Sequence, residues 1–446
     1  MLNTWRAHIP IYPLITFRII WGVLLMFSTA RFVALGWIED HYIEPLLHFK
    51  YYGFEWIQPL GLWEMYLVHA IMFATALFVT LGYYYRISAI VLFLTFTYTE
   101  LIDLTYYLNH YYFVSLISFM LIFLPAHRAV SLDVRQGRTR FYNQVPGWSI
   151  NGLKLMIAIV YVYAGLAKIN SAWLFEALPL KIWLSAHDKM PLLGGVFAWE
   201  WTPYLFSWCG MLYDVTIVFF LLYPATRKLA FVSIVVFHTL TGLLFQIGVF
   251  PIVMIAVVTI FFSPTWHRKI LLDLSRRVDR YHLTNLQSAK SIKLILSKVK
   301  ERLVLGMFTL FFAIQLLFPW RFMLYDSNLF WSEEGYRFSW RVMLMEKSGT
   351  ATFYVKDGQT GREGAVINSQ FLNDHQEKQM AMQPDLILQF AHFLGDHYEQ
   401  EGVRDPEVRA EVYVSLNGQA SRLYIDNDLN LLPIKDGWTK RWWVLD

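Results

Sequence analysis

A single lysine at the end of a long apolar stretch is the first residue whose position could support chemistry. Lys168 closes the apolar run 151–168, and a lysine at the centre of a membrane span costs roughly 2.5–3.5 kcal/mol on insertion scales. One interpretation is a lysine near a helix end that extends its amine to the membrane surface. The other is a partly desolvated amine that acts as a base. Gly165 and Ala167 add little bulk beside it, so a ligand could approach the amine closely.

Further polar residues fall within or at the ends of other apolar runs, where each needs a physical reason. They are Asn109, His110, Asp214, His238 and Gln246. Each alone is compatible with a polar side chain that is hydrogen-bonded inside a helix bundle. With the orientation derived below, most of them lie near the depth of Lys168, towards the outer face of the membrane. Titratable groups gathered at one depth favour a functional site. Asp103 and His110 would share a face only if one helix ran through both.

The composition is that of a membrane protein. Of 446 residues, 56% are hydrophobic and 16% are charged, against about 45–50% apolar and about 25% charged residues in soluble domains. The formal charge of +4 is too small and too dispersed to indicate a nucleic-acid partner. Cys209 is the one cysteine, which excludes an internal disulfide and a cysteine-rich metal centre. We expect no metal site.

Nine apolar segments have a length and composition suited to membrane helices, which predicts an α-helical polytopic bundle. They are 13–33, 65–82, 87–103, 110–125, 151–168, 204–223, 229–247, 249–263 and 303–319. Basic residues are concentrated around Arg86, in 128–140, at Arg227 and Lys228, and in 264–302. The positive-inside bias places these four connections in the cytoplasm. Nine spans then put everything after Trp320 on the extracytoplasmic side.

The sequence pattern changes near residue 320, where the long apolar runs stop. Alternating segments at 352–355 and 412–416 predict strands, and Asn417-Gly418 predicts a hairpin turn. An amphipathic helix is predicted from Pro384. We therefore divide the chain into a bundle at 1–263, a basic cytoplasmic loop at 264–302, a last span at 303–319 and an extracytoplasmic α+β domain at 320–446.

The sequence resembles the vitamin K-dependent gamma-glutamyl carboxylases along nearly its whole length. The segment from Gly165 to Trp173 resembles the surroundings of their active-site lysine, and Asn109-His110 with Asp103 resembles their Asn-His pair. Further matches, in the family's order, are Met65–Val68, Ile71–Phe73, Tyr85–Ser88, Phe237-His238, Leu244–Gly248, Ser263-Pro264, Ser339-Trp340 and Asp357–Gly361. The resemblance also places the chain among horizontally transferred transmembrane domain (HTTM) proteins, as a short member of bacterial type.

The resemblance implies a reaction that couples two substrates. Family members oxidise a reduced naphthoquinone, vitamin K or menaquinol, with O₂ to its epoxide, and the strong base so generated removes a γ-proton from peptidyl glutamate before CO₂ adds. Lys168 would remove the quinol proton, and Asn109 and His110 would hydrogen-bond oxygens as charge develops. The remaining binding positions implied are His238, Gln246, Ser339 and Trp340. The expected partners are a glutamate-containing peptide or protein and the lipid bilayer, with the protein in a bacterial inner membrane.

Two differences from the animal enzymes are visible, and two other functions remain open. Ala167 replaces the first of two adjacent lysines in animal members, and Phe338 stands where they have tyrosine. One alternative keeps quinol epoxidation but modifies another substrate. The other is a transporter or membrane-anchored assembly factor without enzymatic activity, which the absence of duplicated halves in the sequence disfavours.

Overall fold

The structure is a computed structural model that describes residues 5–191, 194–245, 247–278 and 291–445. A helical membrane part precedes a smaller α+β domain. The main helices are α1 Tyr12–Ala34, α2 Leu62–Leu81, α3 Tyr85–Leu101, α4 Asn109–Phe123, α5 Trp148–Ala167, α6 Thr202–Leu222, α7 Arg227–Leu244, α8 Phe250–Val257, α9 Pro264–Val278, α10 Lys298–Leu317, α11 Asp374–Met380 and α12 Pro384–Gln400.

The predicted count of nine spans is not confirmed, although a helix forms in each of the nine segments. Six helices among the described residues are long and apolar enough to cross a membrane: α1, α2, α5, α6, α7 and α10. A seventh span is counted only if α8 and the following turn to Phe261 are joined with α9, from which they are bent by 113°. Helices α3 and α4 contain 17 and 15 residues, fewer than the roughly 20 that a span normally needs.

Polar contacts lie at the outer end of α3, which comes two residues before the predicted end. The chain leaves the helix at Leu101 and forms a short turn in which the Asp103 carboxylate accepts a hydrogen bond from the Thr105 backbone amide at 2.9 Å. The same carboxylate accepts a hydrogen bond from Gln376 in the C-terminal domain at 2.7 Å. Asp103 and His110 therefore do not share one helix face. Instead, Asp103 ties the membrane part to the domain above it.

The C-terminal domain contains a four-stranded antiparallel sheet in the order β4-β3-β5-β6. Its strands are β3 Lys347–Asp357, β4 Glu363–Ala365, β5 Pro406–Leu416 and β6 Arg422–Leu423, while β1 His8–Pro10 pairs with β2 Gln144–Pro146 in the membrane part. Asn417 and Gly418 both have positive φ, at 53° and 76°, as a type I′ turn requires. The predicted strands, the turn and the helix from Pro384 are thus present.

The core of the C-terminal domain includes residues from the membrane part. Helix α12 packs its apolar face on β5 and β3. Phe49, Tyr51 and Leu104, from two extracytoplasmic connections of the bundle, are buried in the same hydrophobic cluster as Phe353 and Phe390. Burial of apolar surface in one common core stabilises contact between the domain and the bundle. The two parts consequently meet above the outer ends of the helices, where the predicted site residues lie.

Candidate active site

A buried ion pair joins the helix α5 terminus to helix α6. The Lys168 amine donates a hydrogen bond to the Asp214 carboxylate at 2.8 Å, and both side chains are less than one-tenth exposed. The amine also lies 3.2 Å from the carbonyl oxygen of Ala164 and 5.4 Å from the centre of the Trp173 ring. Lys168 therefore does not extend to the membrane surface, and the snorkelling interpretation does not apply.

Gly165 has a different role from the one expected. A β-carbon at this position would lie 2.6 Å from the Val215 side chain and 2.7 Å from the Val215 backbone nitrogen, which no real side chain tolerates. The glycine allows close approach of helix α6 to helix α5, not of a ligand. Because Asp214 immediately precedes Val215, this close approach brings the carboxylate within hydrogen-bonding distance of Lys168.

The ion pair lies in the wall of an apolar cavity. Its lining is mainly aromatic and aliphatic, with Lys168, Asp214 and His238 as the titratable groups; the aromatic members are Tyr161, Trp173, Trp183, Phe206, Phe237, Phe245 and Phe250. Nε2 of His238 lies 2.8 Å from the Tyr161 hydroxyl. Nδ1 of His238 is buried without a hydrogen-bond partner among the described residues.

His110 lies next to this cavity but not in its wall. It is buried at the start of α4 and lines a smaller apolar pocket with Trp21, Tyr111 and Val249. The Phe250 ring lies close to both histidines, with its centre 5.4 Å from that of His110 and 6.0 Å from that of His238. His110 therefore contacts Phe250, which itself lines the Lys168 cavity.

Asn109 faces the extracytoplasmic side and holds two other segments. Its amide nitrogen donates a hydrogen bond to the Arg341 carbonyl oxygen at 2.9 Å, and its amide oxygen accepts one from the Tyr107 hydroxyl at 3.1 Å. The Tyr107 hydroxyl in turn accepts a hydrogen bond from the Phe338 backbone amide at 2.7 Å. Asn109 and Tyr107 together fix the backbone that carries Ser339 and Trp340.

The segment from Glu333 to Met343 has an unusual backbone. Glu333, Phe338, Trp340 and Met343 all have φ between 52° and 59°, a left-handed conformation that non-glycine residues seldom adopt and that costs of order 1–3 kcal/mol each. Several such residues in one short segment persist only where the surroundings hold them, and they are typical of functional sites.

Trp340 and Ser339 are buried in this segment. The Trp340 ring is stacked on Tyr112, with 5.1 Å between ring centres, and its indole nitrogen has no hydrogen-bond partner. The Ser339 hydroxyl accepts a hydrogen bond from Arg321 at 2.9 Å and donates one to the Gly335 carbonyl at 2.7 Å. Neither side chain lines the Lys168 cavity. Val342 and Met343, which follow two and three positions after Trp340, line it instead.

A larger cavity lies on the other side of the same segment. It lies between the C-terminal domain and helices α3, α4 and α10, and Gly335, Arg337 and Phe338 form part of its wall. The segment from Glu333 to Met343 therefore contributes to the walls of two cavities, an apolar one within the bundle and an open, partly charged one beneath the extracytoplasmic domain. We call the second one the outer cavity.

Two contacts of the site were not predicted from the sequence, and one predicted residue cannot be placed. Asp214 was grouped by depth with Lys168, but its direct pairing across 46 positions was not foreseen. Tyr161, which contacts His238, was not singled out at all; its spacing of seven from Lys168, about two turns of one helix, was the available signal. Gln246 lies outside the described residues.

Comparison with protein families agrees with this architecture. Residues 7–266 match the model of the HTTM domain, which is more than half of the chain, and the protein is accordingly an HTTM-domain membrane protein. Residues 300–446 match the model of the vitamin K-dependent gamma-carboxylase lumenal domain. The chain belongs to the vitamin K-dependent gamma-carboxylase family. No solved structure matches it.

These matches, with the apolar helices, define a multi-pass membrane protein whose C-terminal part is a domain of lumenal, extracytoplasmic type.

Proposed function

We propose that the protein is a carbon–carbon lyase that carboxylates peptidyl glutamate, using a reduced naphthoquinone such as menaquinol, O₂ and CO₂. The observation that carries this proposal is the Lys168–Asp214 pair in the wall of an apolar, aromatic cavity. Membership of the family supports the same chemistry. The domain division at 1–263, 264–302, 303–319 and 320–446, and a bacterial inner membrane as the location, are part of the proposal.

The residues around the cavity fit a naphthoquinol. Aromatic walls from Trp173, Phe237 and Phe250 suit a flat fused ring, and the unpartnered Nδ1 of His238 suits one ring oxygen. When bound, the quinol would be oxidised by O₂, and this oxidation would generate a base stronger than any side chain. In our proposal His238 and Tyr161 orient the ring, and Gln246 is a further binding residue.

Lys168 would accept the proton of the quinol hydroxyl, which requires an unprotonated amine. A pair made of Lys168 and Asp214 has no net charge whether the shared proton is on nitrogen or on oxygen, and burial disfavours the separated charges. Movement of this proton to the Asp214 carboxylate therefore exposes a free amine without placing a net charge in the bundle. Asp214 thereby acts as the positioning partner of the base.

The outer residues would handle the peptide. Asn109 and His110 would hydrogen-bond oxygens as negative charge develops on glutamate, and the segment with Ser339 and Trp340 would bind the peptide between the two cavities. A peptide can reach the outer cavity from outside the membrane, whereas the lipid quinol enters an apolar cavity from within the bundle. Formation of epoxide without carboxyglutamate on any glutamate peptide would favour the alternative of an epoxidase for another substrate.

We predict that the C-terminus lies outside the cytoplasm. Two separate fusions after the last residue, one to alkaline phosphatase and one to green fluorescent protein, measure this directly. Alkaline phosphatase is active only outside the cytoplasm. Green fluorescent protein that is exported unfolded does not become fluorescent, so it reports a cytoplasmic C-terminus. We expect phosphatase activity without fluorescence. A matched fusion within the basic connection after Arg135 should give the opposite pattern. Fluorescence of the C-terminal fusion would reject the predicted orientation. It would also reject the proposal that the peptide binds to the site from outside the cytoplasm.

We predict that His110→Ala lowers carboxylation more than epoxidation. Loss of one hydrogen-bond donor to a developing anion costs roughly 10²–10³-fold, while Lys168 and the quinol cavity remain intact. Epoxide and carboxyglutamate measured in one reaction give the ratio of the two products. His127→Ala is the control, because His127 is also buried but follows the C-terminal end of α4, whereas His110 lies at its N-terminal end. An unchanged ratio in His110→Ala would assign this residue to the quinol step or to the fold.

A further inference from the structure

The cations around the segment from Glu333 to Met343 fall into two groups, paired and unpaired. Arg337 and Arg441 both contact the Asp385 carboxylate, and Arg441 also lies 3.9 Å from the Asp436 carboxylate. Lys347 contacts Glu333 at 2.9 Å. Burial alone would raise the pKa of Asp385, yet its two guanidinium partners hold that pKa well below the usual range. These three cations are therefore neutralised within the protein. The unpaired group consists of Arg321 and Arg341.

Arg341 is a buried cation without a counter-ion. The residue is only 8% exposed, and its Nε is buried with no hydrogen-bond partner. The guanidinium lies over the Phe322 ring, 4.4 Å from the ring centre, and makes no ion pair within the part of the chain that the structure describes. Burial lowers its pKa to about 10, so it stays charged at neutral pH. An uncompensated buried charge is costly, and a bound anion would remove that cost.

Arg321 is the second unpaired guanidinium, and it lies in the wall of the outer cavity. It donates hydrogen bonds to the Ser339 hydroxyl at 2.9 Å and to the Phe318 carbonyl oxygen at 3.1 Å. These acceptors are neutral, so they fix the guanidinium without balancing its charge. Among the described residues it too has no carboxylate partner. Ser339 joins Arg321 to the same short segment that carries Arg341.

We propose that Arg341 and Arg321 bind the γ-carboxylate of the substrate glutamate, an inference that rests on the proposed function and adds a specificity site to it. A guanidinium group matches a carboxylate in shape and charge and binds it with two parallel hydrogen bonds. The Arg341 guanidinium lies over the ring of Phe322, the residue that follows Arg321, and the Arg341 backbone accepts the hydrogen bond from Asn109.

The arrangement has a chemical consequence. The proton to be removed is on the carbon next to the γ-carboxylate, and negative charge spreads onto the carboxylate oxygens as it leaves. Fixed cations at those oxygens stabilise that charge. They also select glutamate over glutamine, because a neutral amide would leave both guanidinium groups unpaired.

Peptide binding to the purified full-length protein in nanodiscs tests the proposal. The probes are two end-blocked tripeptides, Ala-Glu-Leu and Ala-Gln-Leu, measured without quinol. We expect the wild-type protein to prefer the glutamate peptide, and Arg341→Gln and Arg321→Gln each to weaken its binding at least about tenfold without changing binding of the glutamine peptide. Arg362→Gln is the matched control, since Arg362 is an exposed cation of the same domain.

Thermal stability separates this role from a structural one. Removal of an unpaired buried charge should leave the melting temperature of Arg341→Gln unchanged or higher, whereas a structural cation would lower it. If that variant does not fold, Arg321→Gln and Arg341→Lys serve the same binding measurement. Equal glutamate-peptide binding by wild type and variants would overturn the assignment of the two arginines alone. Absence of glutamate-peptide binding by the wild type would overturn both this inference and the peptide carboxylase proposal.

Discussion

Lys168→Ala is expected to abolish epoxide formation and carboxylation together, with each rate falling roughly 10²–10⁴-fold, the usual contribution of a general base. The amine is buried at 2.8 Å from Asp214 in the wall of the apolar cavity, and it is the one amine among the described residues that line this cavity. Product analysis by mass spectrometry on the purified variant measures both rates. Carboxylation requires the base generated by quinol oxidation, and for that reason the two losses should be equal.

Lys154→Ala provides the matched control for this experiment. Lys154 lies in the same helix α5 and is half-buried, but it is about 21 Å away along the helix axis. It should retain both activities. Retention of more than about a tenth of wild-type epoxide formation by Lys168→Ala would reject the role of this lysine as the base.

Asp214→Asn is expected to lower epoxide formation roughly 10²-fold and also to destabilise the protein. An asparagine keeps the shape of the side chain but cannot accept the proton that Lys168 must give up. It also leaves the lysine without its counter-charge, and breaking a buried pair costs about 3–5 kcal/mol. The melting temperature and the epoxidation rate of the purified variant measure the two effects.

The double variant Lys168→Met/Asp214→Leu separates stability from catalysis. Removing both members of the pair leaves no unpaired charge, and such replacements are often neutral or stabilising. We expect the melting temperature to return to that of the wild type while both activities stay absent. Full activity of Asp214→Asn would show that the carboxylate is only a structural counter-ion.

The sequence predicted the parts of the site that depend on residue type and local spacing. A lysine at the end of an apolar run, an Asn-His pair at the start of another and a change of pattern near residue 320 gave Lys168, Asn109, His110 and the α+β domain. All of these rest on periodicity or on the cost of a polar group in a membrane, which one sequence can show.

Contacts between distant segments could not be predicted in this way. The pairing of Lys168 with Asp214 depends on the close approach that Gly165 permits, and the glycine alone suggested space for a ligand. The predicted count of nine spans is not confirmed, because α3 and α4 are shorter than a normal span. The outer end of α3 lies beside the contact of Asp103 with Gln376, a tertiary contact that hydropathy does not reveal. The segment from Glu333 to Met343, which lines both cavities, has positive φ angles that its residue types do not indicate.

One reaction tests the central claim most directly. The purified protein in nanodiscs is supplied with menaquinol, O₂, ¹³C-bicarbonate and a glutamate-containing peptide, and the peptide and quinone products are analysed together by mass spectrometry. Lys168→Ala and a reaction without quinol serve as controls. We predict a labelled carboxyl group on glutamate and quinone epoxide, both present only with wild-type protein and quinol. The account would be contradicted if the wild-type reaction gave neither epoxide nor carboxyglutamate while the protein was folded and the quinol was intact.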